Sequence, residues 1–161
     1  MRFDGTAWIY LGIPGFSAGE ITSTSIAFNP LDSLPYIGFS DYAHSFRATV
    51  MKFDGTSWGV IGNAGFSNGR ANDNSLAFNS QNGEPYMAYE DSANSDKATV
   101  KKFDGTDWVS VGSAGFSAGQ AIYMGLAFNP CDWEPYVSYT DYADTEKNNC
   151  NEIRWKLLET C

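Results

Sequence analysis

The chain has 161 residues and a formal charge of −9, with 10 basic against 19 acidic side chains, and 16% of it is aromatic. Such a surface repels nucleic acid and anionic lipid, whose phosphates need Lys and Arg to neutralise them, and no apolar run reaches the roughly 18 residues of a membrane helix. One His and three scattered Cys, Cys131, Cys150 and Cys161, do not form the close four-ligand set of a zinc site, so neither metal nor cofactor is expected.

Taken in order, the chain repeats itself. Phe3-Asp4-Gly5-Thr6 returns as Phe53-Asp54-Gly55-Thr56 and as Phe103-Asp104-Gly105-Thr106, at a step of 50 residues, each followed by a Trp (Trp8, Trp58, Trp108). Behind each come Gly-Phe-Ser (15–17, 65–67, 115–117), Ala-Phe-Asn (27–29, 77–79, 127–129), Pro-Tyr (35–36, 85–86, 135–136) and an Asp (Asp41, Asp91, Asp141). Self-similarity on this scale marks a repeat architecture. Met1-Arg2-Phe3 already belongs to a repeat, so no signal peptide is expected, and the compartment is left open.

The middle repeat supplies the template. Leu76-Ala77-Phe78 predicts a short strand, and residues 79–85 a turn with Asn82-Gly83 as its hairpin signal. Residues 86–89 predict a second strand, 91–96 a polar loop, 98–103 a third strand, and 108–111 a fourth beyond Asp104-Gly105. A Gly- and Ser-rich crossover, 112–124, leads to the next repeat, and no segment holds a helical period for more than about two turns. Four short antiparallel strands with tight turns and one longer crossover predict an all-β fold, a β-propeller of four-stranded antiparallel blades. A sandwich has no reason for regular repetition, and a solenoid coil is shorter.

On this template 1–161 is a single unit: an outer closing strand in 1–12, blades at 26–62 and 76–112, and a last blade of three strands in 126–158. Three blades cannot close a ring, since propellers have about four to eight. The expectation is therefore a homodimer: the chain's partner is a second copy, the N-terminal strand of each completes the last blade of the other, and the C2 pair forms a six-bladed ring. Four residues are inserted before the final strand, 153–158. Cys131 and Cys161 then fall in turns at the same end of the last blade, which predicts a Cys131–Cys161 disulfide with Cys150 left out at the opposite end.

The runs Glu84-Pro85-Tyr86-Met87-Ala88-Tyr89-Glu90-Asp91, Lys97-Ala98-Thr99-Val100 and Phe103-Asp104-Gly105-Thr106-Asp107-Trp108 resemble blades of bacterial β-propeller repeat proteins over nearly the whole chain. That resemblance implies the fold and little about activity. The paired assembly is similar to that of bacterial lectins in which short chains combine into one six-bladed ring. The Asp-Gly-Thr-x-Trp hairpins resemble the Asp-box of sialidase-type propellers, with the spacing off by one residue; in that family the box is a folding element, and it implies no catalytic role.

Candidate functional residues come from comparing the repeats with one another. The Asp-Gly-Thr hairpins barely change, which suits turn geometry. The opposite end varies, in the crossovers at 20–24, 70–74 and 120–124 and in the loops at 42–46, 92–96 and 142–146. A ligand face is expected there, with Arg70, Asn72, Asn74, Tyr123, Tyr42 and Tyr142 as its contacts. Aromatic rings beside amides suit a sugar, giving an apolar face and hydroxyl partners. Asp41, Asp91 and Asp141 read either as turn residues bonding backbone N–H groups or as a carboxylate ring for a cation, with the turn role favoured. Trp8, Trp58 and Trp108 read as packing between blades. The Gly-Phe-Ser-x-Gly runs lack the Lys-Ser/Thr of a phosphate loop. The functional expectation is a non-catalytic binding module with carbohydrate as ligand. The alternatives are a structural or protein-interaction scaffold and, behind it, a propeller glycoside hydrolase, for which Arg2, Arg47, Arg70 and Arg154 lie at unrelated repeat positions.

Overall fold

The computed structural model describes residues 1–143 and the strand 153–157. The chain opens with β1 (Arg2–Phe3) and β2 (Trp8–Ile9), which pair as a hairpin. A four-stranded antiparallel sheet follows, ordered β3 (Ile21–Phe28), β4 (Pro35–Asp41), β5 (Arg47–Phe53), β6 (Trp58–Val60). The next repeats it with β7 (Ala71–Phe78), β8 (Pro85–Asp91), β9 (Lys97–Phe103) and β10 (Trp108–Ser110). A third sheet pairs β11 (Ala121–Phe128), β12 (Pro135–Asp141) and β13 (Ile153–Leu157). Among the described residues no helix is long and apolar enough to cross a membrane.

Local chemistry sets the hairpins. The Asp54 carboxylate accepts the N–H groups of Thr56 and Ser57, both at 2.8 Å, and Gly55 takes the left-handed turn position at φ +104°, which a glycine enters without steric cost. Asp4 and Asp104 do the same in their repeats. The donated N–H groups, Ser57 first, hold the Asp54 carboxyl below the usual carboxylate range. The second strands are the most enclosed, and all seven residues of β8 are buried.

The crossovers are ordered. Residues 61–71 run back along β5, beyond the end of the three-residue β6: Ile61 N donates to Val50 O at 2.9 Å, Phe66 N to Ala48 O at 2.9 Å, and Ala71 N to Phe46 O at 3.0 Å. The next repeat copies this through Val111, Phe116 and Ala121. Ser67 Oγ accepts from Ala48 N and donates to Gly69 O. The Gly-Phe-Ser-x-Gly motif is therefore a strap that satisfies backbone groups otherwise left on a sheet edge.

The sheets stack with their first strands side by side, β7 lying between β3 and β11. Leu76 N reaches Ser25 Oγ, and Leu126 N reaches Ser75 Oγ. Tyr36 meets Phe78 edge-on at 4.9 Å, and Tyr86 meets Phe128 in the same way. Trp108 stacks on Phe66 at 4.1 Å and donates Nε1–H to Ile61 O, while Trp58 stacks on Phe16 and donates to Leu11 O. The tryptophans of the second and third repeats thus pack between sheets, as expected. Trp8 stands largely exposed beside Phe3.

Two features differ from the sequence reading. The first strands begin at Ile21, Ala71 and Ala121, inside the segments expected to be crossovers. Each carries a register shift, between Thr22 and Ser25, Asn72 and Ser75, and Ile122 and Gly125, with Ser23, Asp73 and Tyr123 at positive φ. These are β-bulges, and they lengthen the strand past the point where its apolar alternation stops. Leu157 stands opposite Tyr136 as Lys102 stands opposite Tyr86, so five residues, not four, are added before β13. Cys131 is exposed in the turn after β11; Cys150 and Cys161, and with them the expected disulfide, lie outside the described residues.

Candidate binding face

The end of the sheets that carries the β4–β5 and β8–β9 loops is built on the repeat aspartates. Asp41 accepts hydrogen bonds from Ala43 N at 3.0 Å and Thr49 Oγ1 at 3.1 Å, and its Oδ2 lies 2.8 Å from His44 Nδ1. Asp91 repeats the set with Ala93 N, Asn94 Nδ2 and Thr99 Oγ1. Asp141 accepts from Ala143 N and from Gly119 N of the crossover. The carboxylates are spent on turns and straps, which is the turn role and not a cation ring.

Each loop then makes one turn of 3₁₀ helix, Tyr42–His44 or Ser92–Asn94, followed by two residues at φ +60°: Ser45 and Phe46, or Ser95 and Asp96. Asp tolerates this conformation, whereas a bulky aromatic there is uncommon. Phe46 nonetheless occupies it. Its ring meets Tyr42 edge-on, with centroids 5.1 Å apart, and the Arg70 guanidinium lies over it, Cζ 4.6 Å from the centroid. Arg70 is fixed by its backbone, N donating to Ser92 Oγ at 2.7 Å and O accepting from Ser92 N at 3.1 Å. Tyr42 and Arg70 are exposed and Phe46 is half-buried. The three make an aromatic shelf with a cation on it, at the junction of the first two sheets.

The structure sorts the six expected contacts. Tyr42 and Arg70 come together, through Phe46. Asn72 is half-buried on β7. Asn74 is buried and ties the two sheets, its Nδ2 donating to Ser23 O at 2.9 Å and Ser40 Oγ at 3.2 Å. Tyr123 and Tyr142 are exposed at the same end of the third sheet, away from the shelf. Phe46 was missed, although the sequence carries its signal: the corresponding residues are Asp96 and Glu146, while Arg70 corresponds to Glu20 and Gln120.

A cleft of about 270 Å³ opens at the opposite, hairpin end, between Tyr36, Ile61, Glu84, Pro85 and Phe103. Ion pairs flank it, Lys52 with Asp32 at 2.8 Å and Lys102 with Glu84 at 3.0 Å. Burial would raise the Asp32 carboxyl, but Lys52, the Leu34 N–H and the Tyr36 hydroxyl outweigh it and hold it below its ordinary value. The charged groups at this cleft already have partners.

No protein-family model matches the chain, and a comparison with curated proteins finds no match. Among solved structures the chain is similar to the crystal structure of a thermostable family-43 glycoside hydrolase, with a TM-score of 0.50 and 14% identity, over 81% of this chain and 45% of that one. The chain thus spans less than half of that protein's length, and at this identity the likeness concerns the fold. Together with the observed sheets it supports an all-β, propeller-like architecture.

Proposed function

We propose that the chain is a non-catalytic propeller binding module whose ligand is a carbohydrate, seated on the shelf of Tyr42, Phe46 and Arg70. The observation that carries this reading is that shelf. The exposed Tyr42 ring offers an apolar face to sugar C–H groups, and the guanidinium that covers Phe46 beside it offers hydrogen-bond donors to sugar oxygens. Tyr123, Tyr142 and Asn72 extend the face on the neighbouring sheets. A glycan array on the purified chain tests it: bound glycans should be lost when Phe46 and Tyr42 are replaced by alanine. Cleavage of a bound glycan would favour the glycoside hydrolase instead. Absence of any glycan on the array would leave the scaffold.

The exposed apolar surface of the first repeat supports a second part of the proposal, assembly. Ile26 and Phe28 on β3 are 58% and 63% exposed, whereas their counterparts Leu76 and Phe78 are 5% and 8% exposed against the preceding sheet. Contiguous apolar surface of this kind marks an interaction site. We assign its cover to a second copy of the chain, two copies closing a six-bladed ring.

A further inference from the structure

We infer that the ligand of the Tyr42–Phe46–Arg70 shelf is an anionic sugar, one bearing a carboxylate or a sulfate; this rests on the carbohydrate reading above and narrows it. The argument is a count of donors and acceptors. A neutral sugar hydroxyl gives and takes hydrogen bonds, so a site for neutral sugar needs acceptors as well as donors. The shelf is rich in donors. The Arg70 guanidinium lies over the Phe46 ring, and its N–H donors carry no acceptor of their own. The Tyr42 hydroxyl both donates and accepts.

The buried carboxylates nearby are already engaged. Both oxygens of the Asp41 carboxylate are engaged by Ala43, His44 and Thr49, and Glu90 accepts from Gln120 Nε2 at 2.7 Å. Among the described residues Arg70 forms no ion pair, with Glu20 and Asp73 included. An oxyanion on the ligand supplies what the protein withholds, and the planar fork of Arg fits carboxylate or sulfate oxygens in pairs.

The repeats act as internal controls. The same two left-handed residues recur in the second loop, where Asp96 takes the place of Phe46. Gln120, at the position of Arg70, bonds Glu90 instead. The backbone is held constant between these two loops, and of the two only the first combines aromatic rings with a cation. Phe46 thus occupies a left-handed conformation that Asp accepts more readily than a bulky aromatic.

Calorimetric titration tests the inference with three probes: a tetragalacturonate, its fully methyl-esterified form, and a sulfated galactose tetrasaccharide. The acid or the sulfated sugar should bind at least tenfold more tightly than the ester, and which of the two leads names the oxyanion. Arg70→Gln should abolish that preference, Arg70→Lys should keep part of it, and Gln120→Ala should leave it unchanged. Phe46→Asp copies the second repeat, so it should remove binding with no loss of thermal stability, which separates a lost site from a lost fold. Equal binding of acid and ester would overturn the anionic inference and leave the carbohydrate reading standing. No binding to any probe, or to any glycan on the array, would overturn both.

Discussion

Tyr89 and Phe39 hold the same place in successive sheets, and the tyrosine alone brings a hydroxyl. Both are fully buried, and the Tyr89 OH has no hydrogen-bond partner among the described residues. Burial, with Asp91 nearby, pushes its phenol far above the ordinary range, so it stays a neutral hydroxyl. An unpartnered buried hydroxyl costs about 1–3 kcal/mol, while the phenylalanine of the first sheet meets an equivalent site without that cost. Tyr89→Phe should therefore raise stability by about 1 kcal/mol in urea unfolding, and a loss of stability would show that the OH is satisfied. At this scale the sequence was most informative where a residue does the same job in each repeat. The turn aspartates and the strap serines were legible because their partners are local backbone groups that the repeat copies along with them. Phe46 and Arg70 were harder to join. They lie 24 positions apart, on different sheets, and only the stacking of those sheets brings them together.

Strands and turns followed the sequence closely, and the first strands did not. Residues 21–24 read Ile-Thr-Ser-Thr, a polar run without apolar alternation that predicts a crossover; tertiary pairing with β4 makes them strand. The straps were read as plain loops because their hydrogen bonds reach back about 20 residues to a sheet edge, which no local pattern reveals. Their fit can be tested. A Cβ on Gly69 would sit 2.5 Å from Ala93 N and 2.6 Å from Ser92 Oγ, so the strap is pressed directly on the loop that follows β8. Gly69→Ala has to push the two apart, at a cost of about 1–3 kcal/mol. Gly59→Ala on β6, where nothing lies within 4 Å, should shift the urea midpoint little. Equal effects from the two substitutions would show that the strap yields freely.

For the whole molecule the prediction is assembly. Large apolar side chains left exposed gather in the first repeat, Phe3, Trp8, Ile13, Ile26, Phe28 and Leu31 among them, and the counterparts of Ile26 and Phe28 in the second repeat, Leu76 and Phe78, are covered by a neighbouring sheet. Light scattering at micromolar concentration should give twice the chain mass, with an obligate interface above about 2,000 Å². Phe28→Lys should split the pair, and a stable monomer of the unaltered chain would end the proposal. Closing the ring also asks for a local exchange. The edge of β2 that corresponds to the one β6 gives to β5 is taken by β1 of its own chain, and the third sheet already has its third strand in β13, so a partner's last sheet can take β2 in the manner of β6 only if β1 gives way. The repeat period announced the architecture; this clash at its seam emerges only once strand pairing is known.

The strap along each complete sheet has a consequence for how such a chain can grow. The connection that leads to the next unit also covers the stretch of the third strand that the short fourth strand leaves bare, so each added unit contributes only the three-residue edge of that fourth strand. A tandem duplication of one 50-residue segment therefore yields a longer protein whose added borders are short. Copies joined in this way can differ in their loops, as Phe46 in the first copy and Asp96 in the second illustrate.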